Sequence, residues 1–193
     1  LLPKLNFHAE SEGSHIQMGW YDRLDIEQVW IPLAHETFAD SIQVIHGISM
    51  GGATTMMTSG DELPDYVRGF VDDCGYSSAW DEFKYKLKDE FGLPAFPVLH
   101  CASLVCKSRY GWSFKEASSV RQLAKCEKPM LFSHGDADAY VPLEEGLKSY
   151  EAKTKGYKHI WIPEGTTHAM AFNDYPQEYT DLMAAFLSEQ IEK

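Results

Sequence analysis

The chain has 193 residues, of which 44% are hydrophobic and 24% are charged, and its 17 basic and 29 acidic side chains give a formal net charge of −12. This length and composition fit one folded domain over residues 1–193 and exclude a disordered chain or two full domains. The acidic balance would repel nucleic acid and anionic membrane surfaces, so we expect neither as a partner.

The start of the chain, Leu1-Leu2-Pro3, reads as the tail of a strand and has no initiator methionine. We therefore expect these residues to be the back part of a longer protein. No apolar run reaches about 18 residues, and no basic start precedes a short apolar core. We expect a cytoplasmic protein, or a membrane-anchored or exported one if a segment precedes residue 1.

Four short segments predict strands at residues 41–46, 67–71, 130–133 and 159–162, because each is apolar or β-branched and is followed by Gly, Asp or Pro. Helical patterns separate them. The last pattern, Pro176 to Glu189, has its apolar residues at the spacing of an amphipathic helix. Strands that alternate with helices predict an α/β domain with a mostly parallel sheet flanked by helices.

Residues 76–128 interrupt this alternation with a long stretch that is rich in aromatic side chains. We interpret it as a helical cap or lid insertion. Trp80, Phe83, Leu87 and Phe91 would share one helix face, and Gly92-Leu93-Pro94 would end that helix. The alternative, that these aromatic side chains only fill a core, stays open.

Ser49 lies where a predicted strand meets a predicted helix, within Gly47-Ile48-Ser49-Met50-Gly51. Small residues at Gly47 and Gly51 would let a sharp turn close with Ser49 at its apex, in a strained conformation that exposes its oxygen. The backbone N–H of Met50, at the helix start, would then point to where an oxyanion forms. We predict Ser49 as a nucleophile and the Met50 N–H as an oxyanion donor.

A serine nucleophile needs a base and an acid that orients the base. His168 follows the last predicted strand, in a loop from which its ring could reach back over the sheet edge, and we predict it as the base. Asp136 and Asp138 both lie in the turn after the third predicted strand, and either could be the acid or cap the turn. Asp72 or Asp73, after the second strand, is a further alternative.

The remaining histidines and the cysteines have simpler interpretations. We expect His46 to be a packed core residue and His134 to close its turn. The four cysteines lack the C-x-x-C pairs of a zinc or redox motif, so we expect free, buried thiols. Because no phosphate-binding glycine loop follows a strand and no His/Cys cluster has ligand spacing, we expect no cofactor and no metal.

Three motifs together resemble bacterial α/β-hydrolases of the serine aminopeptidase-like group: G-x-S-M-G-G at residues 47–52, H-G-x-x-D-x-x-V-P at residues 134–142 and G-x-x-H-A at residues 165–169. The similarity covers nearly the whole chain. It implies the α/β-hydrolase fold, places the acid at Asp138 and places the base at His168.

The front of the chain departs from the family pattern. Where the family has R-G-H-G-x-S, residues 6–11 read N-F-H-A-E-S. The family's first three strands, and the loop that carries the second oxyanion donor, have no counterpart here. We expect this part, on the order of 50 residues or more, to lie outside the sequence.

The combined prediction is a serine hydrolase that cleaves a carboxylic ester or related acyl bond through an acyl-enzyme. An aromatic lid would favour an apolar small-molecule substrate. Peptidase or thioesterase activity stays open, because a fold does not fix a substrate. From another class, the same scaffold could be a non-catalytic module that binds a small apolar ligand.

Overall fold

One parallel sheet forms the centre of the computed structural model, which describes residues 1–5, 8, 11–39 and 41–192. Its strands are adjacent in chain order. They are β1 (Gln43–Ile48), β2 (Val67–Asp73), β3 (Met130–Ser133) and β4 (Lys158–Trp161). The four predicted strands are confirmed, and their ends move by no more than two residues.

Helices precede the sheet, connect each strand to the next and end the chain. They are α1 (Asp22–Asp25), α2 (Ile31–Thr37), α3 (Met50–Thr58), α4 (Ala79–Phe91), α5 (Val98–Tyr110), α6 (Ser119–Leu123), α7 (Leu143–Ala152), α8 (Ala171–Asp174) and α9 (Pro176–Phe186). π-Helical turns at Ile26–Trp30 and Leu187–Ile191 follow α1 and α9. The predicted C-terminal helix is confirmed, and its first residue is a proline, which tolerates that position because it needs no N–H partner there. None of the helices in these ranges is long and apolar enough to cross a membrane.

The first residues differ from the prediction. Residues 1–5 have irregular backbone, so the predicted strand tail at Leu1-Leu2-Pro3 is wrong. A proline there removes one of the N–H groups that a ladder would use. Of the segment that departs from the family pattern, Asn6, Phe7, Ala9 and Glu10 lie outside the described residues.

The central strands are buried on both faces. Phe70 and Phe132 point into the larger core, which also contains side chains of α3, whereas Val71 and Leu131 point to the opposite face. That second face packs against Phe186 of α9. Successive side chains alternate across a sheet, so a strand that is covered on both sides must be apolar at nearly every position. The apolar runs Gly69-Phe70-Val71 in β2 and Met130-Leu131-Phe132 in β3 follow from this.

The four strands end in one row. Ile48 pairs with Asp73, Asp73 with Ser133, and Ser133 with Trp161. The ladder extends one residue further, because Ser49 N–H donates to the Asp73 carbonyl (2.8 Å). The loops that carry the predicted site residues therefore all start at the same edge of the sheet.

The segment predicted as a cap, residues 76–128, contains α4, α5 and α6. Ser78 caps the start of α4, because its Oγ accepts from the Asp81 N–H (3.0 Å), and Gly92 in the left-handed conformation (φ 65°) caps its end. The predicted stop at Gly92 is thus confirmed. The predicted common face is wrong for Phe91, which is the last residue of α4 and is 67% exposed. Trp112 lies in the core, so the aromatic side chains of this segment are divided between core and surface.

Candidate active site

Ser49 lies at the turn between β1 and α3, in a conformation that non-glycine residues rarely adopt (φ 57°, ψ −118°). Positive φ brings the Cβ of an L-residue against its own backbone, so the surrounding structure must hold this turn in place. The bond from the Ser49 N–H to the Asp73 carbonyl does so on one side. Met50 begins α3, and its N–H therefore has no partner within the helix.

Two glycines make this turn possible, and only one of them, Gly47, is among the two for which the sequence predicted a need for a small residue. A Cβ on Gly47 would lie 2.0 Å from the Gly51 carbonyl oxygen, and a Cβ on Gly52 would lie 2.3 Å from Asp72 Oδ1. A Cβ on Gly51 would meet no atom within 4 Å. The requirement predicted for small residues at Gly47 and Gly51 is therefore corrected to Gly47 and Gly52, because strand and helix cross at Gly47 and the end of β2 packs on Gly52.

The structure brings Ser49, His168 and Asp138 together from three separate loops. His168 Nε2 lies 2.8 Å from Ser49 Oγ, and His168 Nδ1 lies 2.7 Å from Asp138 Oδ2. The His168 side chain is 21% exposed, whereas that of Asp138 has no exposed surface. A hydroxyl, an imidazole and a buried carboxylate in this sequence of contacts can move a proton from the hydroxyl to the ring.

Asp138 is held in a position that keeps it ionised. Burial alone would raise its pKa, but hydrogen bonds from His168 and from the backbone N–H groups of Val141 and Tyr140 outweigh that effect, and the pKa lies below its usual value. Its Oδ1 accepts both backbone bonds, at 2.9 and 2.8 Å, which leaves Oδ2 for the imidazole. A carboxylate with these partners can fix the ring tautomer and balance its positive charge.

The alternative acids have other partners. Asp136 Oδ1 accepts from the Gly165 N–H (2.6 Å) on the surface of the turn. Asp73 Oδ2 accepts from the Tyr179 hydroxyl (3.0 Å), and burial raises its pKa. Asp72 is also buried, and burial together with the neighbouring charge of Asp73 raises its pKa well above its usual value. Among the described carboxylates, the one at hydrogen-bond distance from His168 is Asp138.

Specific positions were predicted for two other histidines, and the structure confirms that of His134 but not that of His46. The buried His134 has Nε2 at 2.8 Å from the Val141 carbonyl, to which it must donate, so it closes its turn as predicted. His46 is exposed, which corrects the predicted core position, and its Nε2 lies 3.0 Å from the Tyr179 hydroxyl. It lies on the edge strand β1, where side chains have fewer neighbours.

The cysteines are free, as predicted, but they are not all buried. Cys101 is exposed on α5, and Cys74, Cys106 and Cys126 are buried. Cys74 lies next to the candidate site: it follows β2, has positive φ (51°), and burial together with the charges of Asp73 and Asp72 raises its pKa strongly. Sequence reasoning missed this neighbour, because Cys74 has no ligand-type spacing to another cysteine or histidine.

A second group that the sequence did not single out lies beside the site. The Tyr140 ring packs on the His168 ring with centroids 4.9 Å apart, and Lys86 Nζ lies 3.5 Å from the Tyr140 ring centroid. The Tyr85 hydroxyl donates to the Ala139 carbonyl (3.1 Å), which attaches α4 to the turn that carries the acid. One turn before Lys86, the buried Glu82 has its pKa raised to about 7 by burial. Contacts of α4 therefore shape the surroundings of His168.

An apolar groove of about 890 Å³ opens beside Ser49. Ile26, Trp30, Ile45 and Met50 are among the residues that line it. The lining residues within the described chain come from the region up to Thr55, and the predicted cap contributes none of them. The groove follows the outer edge of β1 and reaches Ser49.

The model of the prolyl oligopeptidase family matches residues 13–193 of this chain. Among curated proteins, the chain is similar to the uncharacterized protein YqkD of Bacillus subtilis (strain 168), with 31% identity over 180 residues. This match covers 93% of the chain and 59% of the relative, so the chain spans less than two thirds of that relative's length.

Solved structures of hydrolases resemble the chain at low sequence identity. The esterase Pf2001 of Pyrococcus furiosus has a TM-score of 0.72 at 16% identity, and the match covers 96% of this chain and 68% of that one. For the acylaminoacyl peptidase of Pyrococcus horikoshii the TM-score is 0.69 at 18% identity, with coverage of 92% and 29%. A monoacylglycerol lipase of Paleococcus ferrophilus gives 0.60 at 16% identity, with coverage of 93% and 78%. The predicted α/β-hydrolase fold is thereby confirmed.

Substitution of Gly47 and of Gly51 by alanine tests the difference in packing around these two glycines. We expect Gly47→Ala to lower the free energy of unfolding by about 3 kcal/mol or more, because the added Cβ would overlap the Gly51 carbonyl. Gly51→Ala should be neutral or stabilising by up to about 1 kcal/mol, because alanine favours the helix and meets open space. Urea unfolding of both variants measures this, and equal losses would contradict the packing described.

The buried Glu82 predicts a pH dependence of stability. Its pKa rises from 4.5 in the unfolded chain to about 7 in the folded one, so its contribution to stability is complete below pH 4.5 and is lost as the pH rises through 7. The free energy of unfolding of Glu82→Gln, relative to wild type, should therefore rise between those pH values, by on the order of 3 kcal/mol at most. Denaturation at a series of pH values measures it. The exposed Glu90→Gln on the same helix should give no such trend.

Proposed function

The chain belongs to the prolyl oligopeptidase family, and we propose that it is a serine hydrolase that cleaves a carboxylic ester or a related acyl bond. The observation that carries this proposal is the run of contacts from Ser49 Oγ through His168 to Asp138, at 2.8 and 2.7 Å. The strained backbone of Ser49 supports it, because strain of this kind persists where the surroundings enforce it and clusters at active sites.

In the first half of the proposed reaction, Ser49 Oγ attacks the carbonyl carbon while its proton passes to His168 Nε2. Asp138 accepts from the His168 Nδ1–H and stabilises the imidazolium that forms. The carbonyl oxygen becomes an oxyanion, which the Met50 N–H at the start of α3 stabilises together with the positive end of the helix dipole. Collapse of this intermediate expels the leaving group, which takes the proton from His168.

In the second half, water attacks the acyl-enzyme and His168 takes one of its protons. The second tetrahedral intermediate collapses, Ser49 Oγ recovers its proton from the ring, and the carboxylic acid leaves. Asp138 remains ionised throughout, in agreement with its lowered pKa. The partial exposure of His168 gives water a route to the ring.

An apolar acyl group is the substrate feature that the groove supports. Its walls beside Ser49, which include Met50 and Trp30, are largely hydrophobic. We therefore propose an apolar ester as the substrate class. The structural relatives include an esterase and a monoacylglycerol lipase, which support this substrate class. They also include an acylaminoacyl peptidase, so a peptidase is the second candidate.

An activity-based probe tests the nucleophile. A fluorophosphonate should label the wild-type chain at one serine, and labelling should disappear in Ser49→Ala, because only an activated hydroxyl attacks phosphorus at a useful rate. Intact-mass and peptide mass spectrometry measure the site. A folded full-length protein, including the expected N-terminal part with the second oxyanion donor, that is not labelled would instead support the non-catalytic ligand-binding module.

Paired substitutions in the acid turn test the choice of acid. Asp138→Asn should lower kcat by on the order of 10⁴-fold, because an amide donor favours the wrong tautomer of His168. Asp136→Asn should change kcat less than about 10-fold, because Asp136 caps a surface turn. Turnover of a nitrophenyl ester by both variants separates them, and near-wild-type turnover by Asp138→Asn would refute the assignment.

A panel of substrates tests the acyl group. Across nitrophenyl esters of rising chain length, kcat/KM should increase until the groove is filled, because each buried methylene contributes about 0.8 kcal/mol. Anilides of acylated amino acids form the comparison set. If kcat/KM is higher for the anilides than for every ester, the peptidase becomes the preferred function.

A further inference from the structure

We propose that Cys74, Asp138 and His168 form a binding site for a thiophilic divalent cation, with Zn²⁺ as the reference ion, and that its occupation inhibits the enzyme. One ligand atom from each of these side chains lies within 4.8 Å of the other two. The inhibition rests on the proposed hydrolase function, whereas binding of the ion does not.

The fold assembles these ligands from three segments. Cys74 directly follows β2, and its N–H donates to the Ser133 carbonyl (2.8 Å), which fixes its backbone beside the carboxyl end of β3. Asp138 lies in the turn that follows β3, and its Oδ1 is already held by two backbone N–H groups. Its Oδ2 faces His168 and is the oxygen that a cation would share with the ring.

A thiolate, an imidazole and a carboxylate are the ligand types that Zn²⁺ binds in proteins. The thiolate selects for zinc and softer cations over Mg²⁺ and Ca²⁺, which prefer oxygen ligands. A tetrahedral zinc site holds its ligand atoms about 3.5 Å apart, given bonds of about 2.0 to 2.3 Å. The three atoms are at most 4.8 Å apart, so shifts of about 1 Å in these side chains would bring them to that separation. A water molecule would be the fourth ligand.

Binding changes the state of the base. Zinc displaces the thiol proton of Cys74 to the solvent. If it binds His168 at Nδ1, the single ring proton, which is hydrogen-bonded to Asp138 in the metal-free site, moves to Nε2, and Nε2 can then no longer accept from Ser49. If zinc binds at Nε2 instead, it occupies the lone pair itself. Either geometry removes the base, so occupation by one ion stops the proposed reaction.

Access to the site controls the rate of inhibition. The Cys74 residue is 1% exposed and the Asp138 side chain is fully buried, so the ion must enter past the His168 ring. We therefore expect inhibition to develop over time rather than on mixing, and to reverse when a chelator removes the free ion.

The experiment measures ester turnover after incubation of the chain with increasing Zn²⁺, each variant being compared with its own metal-free rate. We expect Cys74→Ser to raise the Zn²⁺ concentration for half-inhibition at least 10- to 100-fold, because loss of a ligand should cost no less than loss of a group that merely supports one. Cys101→Ser removes an exposed thiol on α5, and its Zn²⁺ concentration for half-inhibition should equal that of the wild type. Equal sensitivity of Cys74→Ser and wild type would overturn the proposal.

A direct binding measurement separates this site from the proposed function. Co²⁺ bound by a thiolate gives a charge-transfer band in the near ultraviolet, which should appear in wild type and in Ser49→Ala and be absent from Cys74→Ser and Cys74→Ala. Because this signal needs no catalysis, it remains if the chain proves not to be a hydrolase. Absence of the band in the wild-type chain, at Co²⁺ concentrations that saturate a reference thiolate peptide, would refute the site.

Discussion

The crossing of β1 and α3 at Gly47 is the constraint on which the rest of the site depends. The backbone at Gly47 approaches the Gly51 carbonyl so closely that no side chain fits between them, and this closeness turns the chain through Ser49 at positive φ. Because Gly52 has no side chain, the same helix can pack against the end of β2 beside Asp72. The strain at Ser49 is therefore balanced by packing on both sides of the turn, and its hydroxyl is directed to the sheet edge where the other loops arrive.

The electrostatics of that edge distinguish carboxylates that are similar in sequence. Asp72, Asp73 and Glu82 are buried, and burial raises the pKa of each. Asp138 is also buried, but hydrogen bonds from His168 and two backbone N–H groups outweigh the cost of desolvation and lower its pKa. Among these carboxylates, the one beside His168 is thus the one whose hydrogen-bond donors outweigh the effect of burial on its pKa. This arrangement supplies a fixed negative charge next to the ring.

The strand ends that bring the proposed catalytic groups together also bring a thiol close to them, and this thiol completes the proposed cation site. Cys74 has to follow β2 at the level of Ser49, because the strands end in one row, and its thiol comes near the imidazole and carboxylate for that reason. The site proposed for proton transfer then also contains the ligand set that we propose for a thiophilic cation. Packing places reactive groups side by side whether or not a single reaction uses all of them.

The sequence by itself determined the strands, the helix that follows Ser49, the stop at Gly92 and an α/β domain with a parallel sheet, because apolar periodicity and glycine positions act locally. The α/β-hydrolase fold came from the resemblance of three motifs to a known family. The sequence also named Ser49, Asp138 and His168, although the choice of Asp138 over Asp136 came from a resemblance. Only the tertiary structure decided which glycines are sterically required, that His46 and Phe91 are exposed, and that Cys74, Tyr140 and Lys86 surround the site. Those features depend on which residues meet across strands and loops far apart in the chain, and on how burial and hydrogen bonds combine at each charge, which no local pattern encodes.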